Sequence, residues 1–279
     1  MKLILRSLFI LLLSVTSLSA QEGWEVGFWG GGSWYFGDLN TTLDLSKPGL
    51  AGGAFMRYNF NERICFKFTG NIGKVSGDDA DSRNIFEQAR NLSFQSRVTD
   101  GTAELEFNFL RYVHGSKDEF FTPYLAGGLT VHHFNPQTEY EGELVDLQPL
   151  GTEGQFIGEE YNLTQIGLAY GGGLKISLSY EWSLDLFVSA RGLRTDYLDD
   201  VSTVYADPED IEQFHGELAA ELSDRSINVL GVSAEEVGIP GRQRGDATNN
   251  DTYVYAGLTL LYYFGDLRCP TYGSRKRRR

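Results

Sequence analysis

Apolar and polar residues alternate along most of this chain with a period of two, which is typical of β-strands that have one apolar and one polar face. Between residues 63 and 74, for example, Ile64, Phe66 and Phe68 fall on one face and Lys67 on the other. Eight such segments predict eight strands, over Glu22–Gly37, Leu50–Phe60, Arg63–Lys74, Thr102–Val113, Phe120–Phe134, Thr164–Tyr180, Ser183–Tyr197 and Asp251–Phe264.

The links between these segments indicate the architecture. Those after the second, fourth and sixth strands are short, at Asn61-Glu62, His114 to Glu119 and Glu181-Trp182, and the other links are long. Alternating tight turns and long loops are typical of an up-and-down outer-membrane barrel. The sequence therefore predicts an all-β transmembrane barrel of about eight strands with long external loops and both chain ends in the periplasm. A soluble lipocalin-like barrel, with its apolar face inside, is the alternative.

The same register assigns charged side chains to the barrel interior and aromatic side chains to its outer rims. A barrel of eight strands is just wide enough for side chains to fill, so we expect a closed, ion-paired interior and no pore. The expected inward charges are Glu25, Arg57, Lys67, Glu104, Glu106, Lys175, Asp185 and Arg191. The expected outer girdle comprises Tyr58, Phe60, Phe134, Tyr180, Tyr262 and Phe264.

The longest loop, Leu198 to Asn250, is too long to lack structure in a compact domain. Asp207 followed by Pro208 favours the start of a helix. This short helix either covers the barrel mouth or touches an external partner. The residues expected on its apolar face are Ile211, Phe214, Leu218 and Leu222.

Residues 1–20 have the pattern of a secretory signal peptide. Lys2 and Arg6 precede an apolar run from Ser7 to Leu13, and small residues precede Gln21. A signal anchor is the alternative, although the apolar run is shorter than the ~20 residues of a spanning helix. The expected organisation is a signal peptide at 1–20, an outer-membrane barrel at 21–264 and a basic periplasmic tail at 265–279.

The charge of the chain limits its partners. A net charge of -14 argues against nucleic acid, which requires a basic face to neutralise phosphates. The tail is the exception, because Arg275, Lys276, Arg277, Arg278 and Arg279 end an otherwise acidic chain. This basic tail is either simply disordered or an electrostatic contact for an acidic periplasmic partner.

The two cysteines, Cys65 and Cys269, are a candidate disulfide, since exported proteins meet an oxidising compartment. Cys65 follows a periplasmic turn and points inward by its parity. Cys269 follows the last strand by five residues, a reach of ~17 Å. A bridge would fold the tail under the barrel. Two unpaired cysteines are the alternative, because bridging requires Cα atoms within ~7 Å.

Other motifs provide little support for catalysis or cofactor binding. The triplets Gly30–Gly32 and Gly171–Gly173 lie inside strand patterns, without the helix that a phosphate loop requires. Consecutive strand residues such as His132 and His133 point to opposite faces, so we expect no metal there. We expect no catalytic residues, no cofactor and no enzymatic activity. A cluster of acidic residues in the longest loop is either part of a solvated loop, which is the favoured interpretation, or a calcium site. Its members are Asp199, Asp200, Asp207, Glu209 and Asp210.

Three stretches together resemble the PorG-like outer-membrane family of the type IX secretion system of Bacteroidota. They are GFWGGGSWYFGDLN (Gly27–Asn40), LRTDYLDDVSTVYADP (Leu193–Pro208) and QRGDATNNDTYVYAGLTLLYYFG (Gln243–Gly265). The resemblance implies a barrel that anchors or stabilises a periplasmic ring of PorK and PorN type, with a role in protein secretion and, in gliding species, gliding motility. A small adhesion or ligand-binding barrel acting through its external loops is the main alternative, and a lipid-modifying enzyme is another.

Overall fold

The computed structural model describes residues 22–265, and the predicted signal peptide, basic tail and Cys269 lie outside them. Eight antiparallel strands form a closed barrel, in which each strand pairs with its neighbour along the chain and the last strand pairs with the first. The barrel strands are β1 (Gly23–Phe36), β2 (Gly49–Asn59), β3 (Ile64–Asp78), β4 (Ser93–Asn108), β5 (Phe121–His133), β8 (Thr164–Ser177), β9 (Trp182–Gly192) and β10 (Thr252–Phe264).

Polar side chains fill this barrel, and apolar side chains cover it. Phe28, Leu129 and Leu168 point outward and are 75%, 60% and 59% exposed, whereas Arg57 and Glu106 point inward and are buried. This distribution is the reverse of a lipocalin-like barrel and is the architecture of an outer-membrane β-barrel. The predicted fold class is therefore confirmed.

The barrel has two different ends. At the turn end, short connections join β2 to β3 and β8 to β9, and both ends of the described chain, Glu22 and Gly265, lie there. At the loop end, the longer connections form a folded cap. Among the residues described, no helix is long and apolar enough to span a membrane.

The fourth predicted strand was wrong at both ends. It begins at Ser93 rather than Thr102, and it ends at Asn108 rather than Val113. The early part was missed because its outward residues Gln95 and Arg97 lie beyond the apolar belt, so apolar and polar residues do not alternate there. The short link expected at residues 114–119 is consequently a longer connection, residues 109–120.

Two further strands form a hairpin at the loop end that the sequence did not predict. β6 (Pro136–Tyr140) pairs with the beginning of β4, and β7 (Glu143–Asp146) pairs with β6. The turn between them places Glu141 and Gly142 at positive φ values of 52° and 84°, as tight hairpins require. The hairpin extends the sheet beyond the barrel wall.

The predicted helix in the longest loop is present but broken. Asp207 caps α2 (Pro208–His215), accepting a hydrogen bond from the Glu209 backbone, and α3 (Glu217–Ser223) follows. Gly216, at a φ of 93°, separates the two helices, so the expected apolar face does not continue. Ile211 and Leu222 are buried as expected, whereas Phe214 and Leu218 are exposed. The other α-helices of the described residues are α1 (Ile85–Arg90) and α4 (Ala234–Val237), and two short 3-10 helices cover Asp79–Asp81 and Gln148–Leu150.

The loop-end cap has its own apolar core. The seventh predicted strand leaves the sheet at Gly192 rather than Tyr197, because the following residues enter this core. Its buried members come from strand ends and from the long loops, and include Tyr35, Leu39, Leu92, Phe94, Leu147, Leu198, Val201, Leu222 and Tyr253.

Aromatic side chains surround the turn end as a girdle. Trp24 packs on Tyr58, and Trp182 packs on Tyr262, with ring centroids 4.9 and 5.1 Å apart. The predicted girdle was wrong for Phe134, which is fully buried. Phe134 has the same inward parity as Thr130 and His132, and it lies in the core of the loop-end cap.

Candidate functional site

The interior of the barrel is a network of buried charges centred on Arg57. Its guanidinium contacts Glu25 at 2.7 Å, Glu106 at 2.8 Å and Asp185 at 2.8 Å. These four side chains come from β1, β2, β4 and β9. The network therefore ties strands together across the barrel as well as along its wall.

Two lysines complete this network. Lys67 lies 3.0 Å from both Glu104 and Glu106, and Lys175 lies 2.5 Å from Glu106. All eight charged side chains that were predicted to point inward do so. Among the side chains of the ion pairs named above, that of Lys67 is the least buried, at 12% exposed. Buried charges are stable only when they are paired and hydrogen-bonded, and this arrangement provides such partners.

Between the charged layer and the cap, aromatic side chains fill the barrel. Trp29 donates a hydrogen bond from Nε1 to Asn71 at 2.9 Å and packs edge-on against Phe187. A void lined by these side chains and Arg57 has a volume of about 20 Å³, enough for about one water molecule. The interior described is thus packed, as expected for a barrel without a pore.

The turn end is closed by the connection of residues 109–120. His114 inserts under the barrel, where Nε2 lies 2.8 Å from Glu25, Nδ1 lies 3.0 Å from Ser183, and its ring stacks on Tyr263. Tyr112 is buried beside it at a ring distance of 5.0 Å. The ordinary turn pattern of this segment did not reveal that it folds into the barrel mouth.

Cys65 lies next to this closure, pointing inward as predicted. Its Sγ lies 3.7 Å from Asn108 Nδ2 and 3.8 Å from Lys175 Nζ, and it is fully buried. Its proposed partner, Cys269, is outside the described residues, as are the basic residues of the tail. The bridge between Cys65 and Cys269 therefore stays a prediction.

The loop end is organised by buried carboxylates around Tyr35. The Tyr35 hydroxyl donates to Asp199 and lies 3.1 Å from Asp251. Asp251 also accepts from the Leu198 backbone at 2.8 Å. These contacts fix the loop that follows β9 to the ends of β1 and β10.

A second set of contacts centres on Asp200, the next residue along. Thr152 and Tyr161 donate to its two carboxylate oxygens at 2.5 and 2.6 Å. Arg244 donates to the backbone oxygen of Asp200 at 2.6 Å and to Glu153 at 3.1 Å. Through these residues, two of the long loops become a single packed unit.

The acidic cluster was wrongly interpreted as a solvated loop at two of its five positions. Asp199 and Asp200 are each only 1% exposed and have the partners described above. Asp207 caps a helix, and Glu209 and Asp210 are exposed. Within the described residues, no group of three or more His, Cys, Asp or Glu side chains could hold a metal ion.

Burial also changes the acidity of the cap. Burial, with the nearby carboxylates of Asp38 and Glu153, raises the pKa of Asp196 to about 7. Burial likewise raises the pKa of Asp200 and of Asp38 to about 6. Protonation of the cap therefore changes within a mildly acidic range of pH.

The other sequence motifs have structural roles. A Cβ atom at Gly31 would lie 2.1 Å from the Ala256 oxygen, and one at Gly171 would lie 2.3 Å from the Val188 oxygen. The glycine triplets therefore permit close strand packing, as expected. His132 is buried inside the barrel, while His133 points outward and contacts Thr164.

The fold has counterparts among solved structures. They include Ail of Yersinia pestis in complex with the heparin analogue sucrose octasulfate (10% identity, 88% of this chain and 100% of that chain, TM-score 0.40). Neisserial surface protein A is 11% identical, with 87% of this chain and 97% of that chain covered and a TM-score of 0.44. OprG of Pseudomonas aeruginosa is 10% identical, with 90% of this chain and 100% of that chain covered and a TM-score of 0.40. These likenesses concern the fold alone. No curated protein sequence matches this chain significantly.

The sequence itself matches one family model. This model, described as a domain of unknown function, covers residues 2–203 and so includes the first strand, the barrel network up to β9 and the buried Asp199 and Asp200. The chain belongs to the DUF6089 family.

Proposed function

We propose that this protein is a non-enzymatic component of the type IX secretion system that anchors or stabilises a periplasmic ring of PorK and PorN type at the outer membrane. The resemblance of the three sequence stretches to the PorG-like family supports this role. The observation that carries it is the packed barrel interior, in which Arg57 is 1% exposed and bound by three carboxylates. A barrel closed in this way acts through its ends and its outer surface rather than by conducting solutes.

The turn end is the face proposed for the ring. In an outer-membrane barrel the short turns face the periplasm, and the chain leaves β10 at this end toward the basic tail, Arg275–Arg279. A cluster of five cations attracts an acidic surface. Membrane lipid surrounds the outward apolar belt, and the net charge of -14 makes nucleic acid an unsuitable partner.

Deletion of Arg275–Arg279 tests this role. The full chain, affinity-tagged in the exposed loop at Gly231, is expected to lose recovery of ring proteins from solubilised outer membranes after the deletion. The barrel should still fold, as shown by its migration on unheated gels. A variant with lysine at all five positions keeps the charge and should keep the recovery. Unchanged recovery after deletion would argue against the contact through the tail.

A second candidate function is adhesion or ligand binding at the loop end. It is favoured by large apolar side chains that the ordered cap exposes to solvent, among them Leu230, Ile157 and Leu43, at 94%, 72% and 68%. Apolar surface that is left exposed to solvent is available to a partner, and contiguous patches of it mark interaction sites. Replacing these three residues with serine would abolish surface binding and leave recovery of the ring proteins unchanged if this candidate is correct.

A further inference from the structure

Two cations lie side by side on the outer surface of the barrel. Lys74 on β3 is directly opposite Arg97 on β4, and both side chains point outward and are exposed. Like charges in directly opposed positions destabilise a strand pair. Across residues 22–265, neither side chain has a carboxylate partner. An anion bound between them would remove the repulsion.

The position of this pair corresponds to a lipid headgroup region. Ile64, at the start of β3, is ten residues from Lys74. Ten residues extend ~33 Å along a strand, and a strand tilt of about 40° converts this length into about 25 Å of height. That height equals the usual apolar band of outer-membrane barrels, about 25 Å. The two cations therefore lie at the loop-end edge of the membrane.

An apolar groove runs from these cations toward the membrane interior. Gly30 pairs with Gly52, and Gly52 pairs with Ile72, so two neighbouring positions of the lipid-facing surface have no side chain. Leu50 and, from the β6–β7 hairpin, Leu144 border the groove and are 86% and 52% exposed. Its volume is about 710 Å³, within the range of about 300 to 1,000 Å³ usual for ligand sites.

The charge of the groove contrasts with that of the whole chain. No aspartate or glutamate lines it, whereas Lys74 and Arg97 do, in a protein with a net charge of -14. The nearby carboxylate of Asp146 accepts hydrogen bonds from Asn135 and Gln137 at 2.9 and 2.6 Å instead. The groove thus combines an anion site with an apolar channel that faces the acyl region of the membrane.

We propose that this groove binds a phosphorylated, acylated lipid of the outer leaflet, with its phosphate between Lys74 and Arg97 and an acyl chain along Gly30 and Gly52. Two basic side chains provide charge-assisted hydrogen bonds to the phosphate, and the glycines leave room for the chain. The inference requires membrane insertion of the barrel and is independent of the ring partner.

Native mass spectrometry of the full chain with monophosphoryl lipid A tests the proposal. Lys74→Gln combined with Arg97→Gln is expected to weaken lipid binding about tenfold, equivalent to about 1.4 kcal/mol. A matched control, Arg83→Gln with Arg194→Gln, removes two exposed loop-end cations elsewhere and should leave binding unchanged. An equal loss of lipid binding in both double variants would show that only general charge attraction is involved, and would contradict a binding site at Lys74 and Arg97.

A second pair of variants tests the apolar part of the groove. A Cβ atom meets nothing within 4 Å at Gly30 or at Gly127, another outward glycine outside the groove. Gly30→Leu should weaken binding several-fold, whereas Gly127→Leu should not. Binding that survives Gly30→Leu, or that inorganic phosphate fully displaces, would contradict a site for an acylated lipid. Migration on unheated gels verifies that each variant is folded.

Discussion

Arg57 on β2 donates from Nη1 to Oε2 of Glu25 on β1 across 2.7 Å, and neither side chain is more than 1% exposed. Glu106 and Asp185 also contact this guanidinium. Because these ion pairs join side chains from four strands, they stabilise both the strand pairing of the barrel wall and the packing of the barrel interior. This one cation contacts three buried carboxylates, so its removal takes an ion-pair partner from each of them.

Arg57→Met is therefore expected to destabilise the barrel by about 3 to 5 kcal/mol, the usual cost of breaking a buried ion pair. Urea unfolding in detergent, followed on unheated gels, measures the change. Arg111→Gln is the control, because Arg111 forms its ion pair with Glu62 at the surface, where such pairs contribute about 0 to 1 kcal/mol. A similar loss in the two variants would contradict the importance of the interior network.

The membrane position of the barrel predicts different costs for the same substitution at two outward leucines. Leu186 lies in the middle of β9, and Leu50 lies at the loop-end edge of β2. Leu186→Arg should cost ~2 to 4 kcal/mol, and Leu50→Arg about 0 to 1 kcal/mol, because the cost of a lipid-facing cation falls toward the interface. The free energies of unfolding of the two variants, measured in lipid vesicles, test this. A larger loss for Leu50→Arg than for Leu186→Arg would contradict the position of the barrel in the membrane.

The loop-end cap should lose stability as the pH rises. The pKa of Asp196 in the folded cap is about 7, above its ordinary value of 3.8, so the folded state binds this proton more tightly than the unfolded state does. The stabilisation is complete below about pH 4 and is lost as the pH rises through about 7. Asp200 and Asp38, whose pKa values are raised to about 6, change stability in the same direction.

Hydrogen exchange of backbone amides in residues 193–205, expressed as protection factors at about pH 5 and about pH 8, measures this effect. Protection should be higher at the lower pH, and Asp196→Asn should reduce the difference. Protection that increases with pH in the unmodified protein would refute the assignment.

The candidate disulfide between Cys65 and Cys269 is tested by thiol alkylation of the unfolded, unreduced protein. Cys65 is buried beside the turn-end mouth, which is where the chain leaves β10. We expect both cysteines to be labelled only after reduction, because the exported protein meets an oxidising compartment. Labelling of both without reduction would exclude the bridge.

The parts of the fold that contact lipid were predictable from the sequence. Around Phe66 and Leu186, one side of each strand faces lipid and the other faces the polar interior, so apolar and polar residues alternate along the sequence. The inward parity of Arg57 and Glu106 follows from the same alternation. Which charges pair could not be predicted, because the pairs join strands that are distant in sequence.

The loop end could not be predicted in the same way. The first part of β4 has outward polar side chains such as Gln95 and Arg97 at or beyond the loop-end edge of the membrane, and so lacks the alternation. Phe134 has the inward parity of His132, and its place in an apolar core rather than among polar side chains depends on the long loops that cover it. Asp199 and Asp200 resemble a solvated acidic loop, and only their contacts with Tyr35 and Tyr161 show that they are buried.

The orientation and partner of the barrel are tested most directly by site-specific photocrosslinking in native outer membranes. Lys117 is exposed at the turn end, and Lys47 is exposed at the loop end, with 63% of its side chain accessible. A photoreactive residue at position 117 should crosslink to proteins of the periplasmic ring, and one at position 47 should not. Ring crosslinks from position 47 alone, or from neither position, would contradict a barrel that anchors the ring through its turn end.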